Sequence, residues 1–167
     1  SYSTAQGGVY CTIELAKKMN LKPESTTIAI QGYGNAGSHM AKILYKMGYK
    51  IVAVSDSKGG VYKEEGLDPE KVDELKKAGG MLGCYCTGGV CNIEEMPNEG
   101  SCRHVSNEEL LELPVDILIP AALENQITSD NVSKIKAKAI NHLPPVITKI
   151  LKKLVASDVG VDDLMRN

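Results

Sequence analysis

Gly32, Gly34 and Gly37 form a G-x-G-x-x-G run, and Asp56 follows 19 residues after the third glycine. That combination suits a bound dinucleotide. Gly32 permits a tight turn. Gly34 has no Cβ, so a pyrophosphate can approach the backbone. Gly37 lets the following helix pack on the preceding strand. Unpaired N–H groups at that helix N-terminus would face the phosphates. Asp56 would accept from ribose hydroxyls and repel a 2′-phosphate, which favours NAD. Ser57 and Lys58 pull toward NADP, because a hydroxyl and an ammonium could hold that phosphate. The ribose-acid rule tips the reading to NAD. The plain alternatives are a glycine-rich turn without a ligand and, for Lys58, a solvated loop lysine.

A second cluster carries sulfur. Cys84, Cys86, Cys91 and Cys102 lie close together, with His104 next to the last of them. Four thiols and an imidazole could close a tetrahedral zinc site, and Gly88 and Gly89 would let the backbone fold round it. The C-x-C-x4-C-x10-C-x-H spacing differs from the paired C-x2-C of common zinc folds. Free loop thiols are the leading reading, ahead of zinc and then a disulfide. His104 reads as a surface residue, and Cys11 as a small core residue on a helix face.

These residues need elements to hold them. Cys11, Leu15 and Met19 recur at helical spacing, and Asn20 and Pro23 end that helix. Thr26 to Ile30 reads as a buried strand, entering the glycine turn. Met40, Ile43, Leu44 and Met47 mark the next helix, stopped by Gly48. Ile51 to Val54 is a second buried strand ending at Asp56. Ser57 to Leu67 reads as a loop or small hairpin, and Asp68-Pro69 opens a short helix. Ser106 to Glu109 is a capping box before Leu110. Val115 to Ile119 is another strand, Ser129 to Ile135 a short helix and Ala137 to Ile140 a further strand. The alternation predicts a single α/β domain with a Rossmann-like, doubly wound parallel sheet. It spans 1–140, with an irregular Cys-rich insertion at 79–104. Residues 141–167 form an atypical C-terminal helical segment.

Composition narrows the function classes. The 167 residues carry a net charge of −2, which provides no basic footprint for nucleic acid or an acidic membrane. No apolar run approaches the roughly 20 residues of a membrane helix. The start has neither a basic nor an apolar signal region, so a cytoplasmic setting is expected.

The run Ala29 to Ser38 resembles the coenzyme turn of glutamate dehydrogenases, in the glutamate/leucine/phenylalanine/valine dehydrogenase family. Four further stretches are similar to that family: Thr4 to Tyr10, Val52 to Tyr62, Val105 to Leu113 and Asp116 to Asn125. The resemblance covers roughly residues 3 to 140. It implies NAD or NADP as coenzyme and the reversible oxidative deamination of an amino acid. It implies coenzyme contacts at Thr4, at Asn35 and Ala36 within the glycine turn, and at Ala121, Ala122 and Asn125. It carries over no catalytic residue, because the family's substrate lysines and aspartate lie in an N-terminal domain without a counterpart here. The implied partners are a dinucleotide and a separate substrate-binding domain or subunit. Past Ile140 the family's Gly-Ala-Asn turn is replaced by Asn141 to Pro145, where Asn141 could stand in for the Asn. The rival reading is a non-catalytic module that binds a dinucleotide or docks a partner.

Overall fold

The computed structural model describes residues 2–77, 102–122 and 126–141. Helix α1 (Tyr2–Lys18) leads into strand β1 (Thr27–Gln31), helix α2 (Asn35–Lys46) and strand β2 (Lys50–Asp56). Strand β3 (Gly59–Lys63) and helix α3 (Pro69–Lys77) follow. Then come β4 (Cys102–Val105), α4 (Asn107–Leu111), β5 (Ile117–Pro120) and β6 (Ala139–Ile140). The strands form one sheet in the order β4-β3-β2-β1-β5-β6.

This sheet is mixed, which corrects the expectation of a wholly parallel one. β2, β1, β5 and β6 run parallel, whereas β3 is antiparallel to β2 and β4 antiparallel to β3. The cause is the connection. Only Ser57 and Lys58 separate β2 from β3, and so short a link can only return the chain as a hairpin; a parallel return needs a dozen residues or more. Gly59, at φ +115, makes the reversal. The other correction concerns the end of the expected insertion. Cys102 and His104 belong to β4, because β3 offers an open edge and Val105 is fully buried against it. Arg103 adds a cation–π contact, 5.0 Å from the centre of the Tyr62 ring.

Both faces of the central strands are covered, which explains their unbroken apolar runs. Ile28 and Ile30 of β1 pack with Met40 and Leu44 of α2 and with Ala5, Val9 and Ala16 of α1. Ala29, between them, points to the opposite face with Val52, Leu110 and Leu118. The inward stripe of α1 runs through Ala5, Gly8, Val9, Thr12 and Ala16. Cys11 falls outside it and is exposed, which corrects its assignment to the core. The small residues win that face because they let α1 sit close to its neighbours. Thr12 can be buried there because its hydroxyl donates to the Gly8 carbonyl at 2.9 Å. The same oxygen accepts from Asn141 Nδ2 at 2.7 Å.

The capping box forms as read: Ser106 Oγ accepts from Glu109 N at 3.1 Å, and Glu109 Oε2 accepts from Ser106 N at 2.7 Å. The helix expected over Ser129 to Ile135 is a single 3-10 turn, Val132–Lys134. The helix expected around Ile147 to Leu154 lies outside the described residues. No helix among the described residues is long and apolar enough to cross a membrane.

Candidate functional site

The chain leaves β1 toward β2 on one side, and leaves its neighbour β5 toward β6 on the other. The crevice beyond the carboxyl ends of β1 and β5 is therefore the topological switch point of the sheet, where ligands of open α/β sheets bind. A cleft of about 620 Å³ lies there, with Gln31, Gly32, Gly34, Asp56, Lys76 and Ala121 among its walls. That volume suits a small-molecule ligand.

The floor of the cleft is the glycine turn. Gly32 N and Tyr33 N both donate to the Ser55 carbonyl, at 2.9 and 2.6 Å, and this bends the chain off β1. Gly32 has φ +94, and a Cβ there would lie 2.6 Å from Ala122 N. A Cβ on Gly37 would lie 2.2 Å from the Gly32 carbonyl oxygen. Both positions are closed by backbone. Gly34 differs: a Cβ there would meet nothing within 4 Å. It caps α2 with no side-chain hydrogen bond, so the first amides of that helix are left for an incoming anion. Tyr33 is buried between the glycines and donates its hydroxyl to the Pro69 carbonyl at 2.9 Å, tying the turn to α3.

The other end of the cleft is built from side chains. Asp56 Oδ1 accepts from Lys58 N at 2.8 Å, and Asp56 Oδ2 lies 3.8 Å from Lys76 Nζ. The Lys76 ammonium also donates to the Tyr33 carbonyl and sits 5.7 Å from the Tyr33 ring centre. Asn107 bridges the strand beneath. Its Oδ1 accepts from Ser55 Oγ at 2.7 Å, and its Nδ2 donates to the Asp56 carbonyl at 2.9 Å. Glu108, in the first turn of α4, borders the cleft. Hydrogen bonds from its own N–H and from Ser106 hold its carboxyl below the usual range.

Two features fit a ligand rich in phosphates and hydroxyls. One is the open space at Gly34 over the uncapped α2 terminus. The other is Gln31 Oε1, a buried acceptor with no partner among the described residues. The Gln31 amide nitrogen is already engaged with Gln126 Oε1, at 2.8 Å.

Of the residues singled out in the sequence, Gly32, Gly34, Asp56, Ser57, Ala121 and Ala122 border the cleft. Asn35, Ala36 and Gly37 form the first turn of α2. Lys58 contributes its backbone N–H to Asp56, and its side chain is not among the cleft walls. Thr4 lies in the first turn of α1. Asn125 falls outside the described residues, as do Cys84, Cys86 and Cys91. Among the described residues no cluster of His, Cys, Asp and Glu could hold a metal. Asn141 is buried at the end of β6, where its Nδ2 also donates to the Gly8 carbonyl at 2.8 Å. Sequence reasoning missed Lys76 and Asn107. The only signal at Asn107 was its place in the capping box, and Lys76 looked like any lysine in a last helical turn.

Residues 1–142 match the family model for the glutamate/leucine/phenylalanine/valine dehydrogenases. The chain belongs to that family, and the domain described is its coenzyme-binding domain. It is 45% identical over 139 residues to the NADP-specific glutamate dehydrogenase of Synechocystis, covering 83% of this chain and 31% of that one. It is 42% identical over 168 residues to the glutamate dehydrogenase of Aeropyrum pernix, covering 99% of this chain and 37% of the relative. The hetero-hexameric glutamate dehydrogenase of Thermus thermophilus superposes with a TM-score of 0.64 at 26% identity, over 92% of this chain and 34% of that one. The chain thus spans about a third of the length of these relatives.

Proposed function

We propose that this chain binds NAD or NADP as the coenzyme portion of a glutamate-type dehydrogenase that deaminates its amino acid oxidatively. The observation that carries this reading is the open cradle at Gly34, set over an uncapped helix N-terminus at the switch point of the sheet. The amides of Asn35, Ala36 and Gly37 would hold the pyrophosphate, and Asp56 would accept from a ribose hydroxyl. Gln31 Oε1 offers one more acceptor to the hydroxyl-rich part of the ligand. The dinucleotide supplies the hydride chemistry when bound, and the chain's own residues bind and orient it. The name of the Synechocystis relative supports NADP, and the carboxylate of Asp56 supports NAD. The amino-acid site would be furnished by a separate domain or subunit.

Calorimetric titration of the 167-residue chain with NADH and NADPH tests it. Saturable binding is expected at about 10–100 µM, roughly −5.5 to −7 kcal/mol. A folded chain that binds neither coenzyme would overturn the reading. Glutamate-dependent NADH formation by the pure chain is expected to be absent, since the family resemblance places no catalytic residue here. Turnover would show that the amino-acid site lies within these residues.

A further inference from the structure

We propose that Lys76 is the residue through which this cleft accepts a 2′-phosphate, so that the site admits both NAD and NADP despite the carboxylate of Asp56. The inference rests on the dinucleotide reading of the cleft and adds to it the group that sets coenzyme choice. Lys76 comes from the last turn of α3, a helix tied down at two earlier points. Tyr33 OH holds the carbonyl of Pro69 at its start, and Asp73 in its middle pairs with Lys42 of α2. The ammonium is thereby delivered to the cleft wall, where it bonds the Tyr33 carbonyl and lies 3.8 Å from Asp56 Oδ2.

This charge has capacity to spare. An ammonium has three donors, and one of its two partners here is a neutral carbonyl. Asp56, for its part, already accepts the Lys58 N–H. Two groups thus blunt the carboxylate's repulsion of an anion, and one of them is a mobile-headed cation that can turn to a phosphate on the adjoining ribose carbon. Lys58 stands closer in sequence, but it serves Asp56 through its backbone and is not among the cleft walls.

Adenosine 5′-monophosphate and adenosine 2′,5′-bisphosphate report on the adenosine end alone, and both should be titrated into the full chain. The wild type is expected to bind the bisphosphate at least as well as the monophosphate. Lys76→Met keeps an unbranched aliphatic side chain of similar length without the charge, and should weaken the bisphosphate by about tenfold, the monophosphate by less than about threefold. Lys76→Arg should restore the bisphosphate. Rising salt should erode the preference in the wild type and not in Lys76→Met. Equal weakening of both probes by Lys76→Met would reduce Lys76 to a structural role and overturn the proposal. So would an equal or larger change in their ratio from Lys58→Ala. If the folded wild type binds neither probe nor either coenzyme, the dinucleotide reading itself fails, and this inference fails with it.

Discussion

The two ends of the cleft are made in opposite ways. At the glycine turn the shape comes from atoms that are missing: Gly32 and Gly37 sit where a Cβ would meet backbone at 2.6 and 2.2 Å, and Gly34 sits where it would meet nothing. At the Asp56 end the shape comes from side chains brought together from β2, α3 and α4. A site can therefore be rigid for two reasons. The turn is rigid because backbone packs on backbone with no adjustable part. The ribose end is rigid because Asn107, Ser55 and Asp56 close a hydrogen-bonded relay with few free partners.

The sharpest way to break the turn is Gly37→Val. Its Cβ would be forced onto the Gly32 carbonyl, so α2 must move off β1. A loss of more than about 4 kcal/mol in denaturant unfolding is expected, enough to threaten folding. Gly34→Val should separate binding from folding. Its φ of −92 is open to any residue and the space is free, so stability should fall by no more than about 1 kcal/mol, the loss of a favourable cap. Coenzyme affinity should fall about a hundredfold or more, which is roughly 2.7 kcal/mol. Wild-type affinity in this variant would mean that phosphates do not lie over the turn.

Asn107→Ala tests the other end. It leaves the Ser55 hydroxyl and the Asp56 carbonyl without their partner, at a cost of about 1–3 kcal/mol. Thermal unfolding would register the loss, and a smaller drop in coenzyme affinity should accompany it as Asp56 loosens. Far from the cleft, Asp116 accepts from Thr27 N at 2.8 Å and Thr27 Oγ1 at 2.9 Å, and Lys138 lies 2.7 Å away. Burial works to raise its pKa, but the hydrogen bonds from Lys138 and Thr27 outweigh that and hold it below the usual value of 3.8. A folded-state pKa below the unfolded one adds stability that is full above the unfolded pKa and is lost as pH falls from there through the folded one. Asp116→Asn should therefore cost about 1 kcal/mol at pH 7 and progressively less as pH falls below the usual carboxyl value, by denaturant titration across that range. Lys138 is largely exposed, so the Thr27 bonds dominate this effect. Coenzyme binding should not change, which would confirm that the opposite ends of β1 and β5 act independently.

The turn could be read from the sequence because its demands are local. Glycine is the residue that tolerates a φ of +94 or a carbonyl at Cβ distance, and three glycines at that spacing announce both needs. The buried strands were legible for a similar reason, since burial on both faces requires runs such as Ile28 to Ile30 and Ile51 to Val54. The direction of β3 was less so, because periodicity does not say which way a strand runs; the two-residue link does. Cys11 was misplaced because several phases of α1 offer apolar residues. Only the close approach of the sheet and Asn141 selects the face carrying Gly8 and Thr12.

By itself, the sequence determined the phosphate-binding turn, the acid at the end of β2 and, through several short stretches between residues 3 and 140, the membership of a dehydrogenase family. Only the tertiary structure decided that β3 and β4 complete a mixed sheet, that Asn107 braces Asp56 from 51 residues away, and that Lys76 reaches Tyr33 across 43. Contacts at such separations leave no periodicity, because the helices and strands between them can be of any length that closes the same geometry.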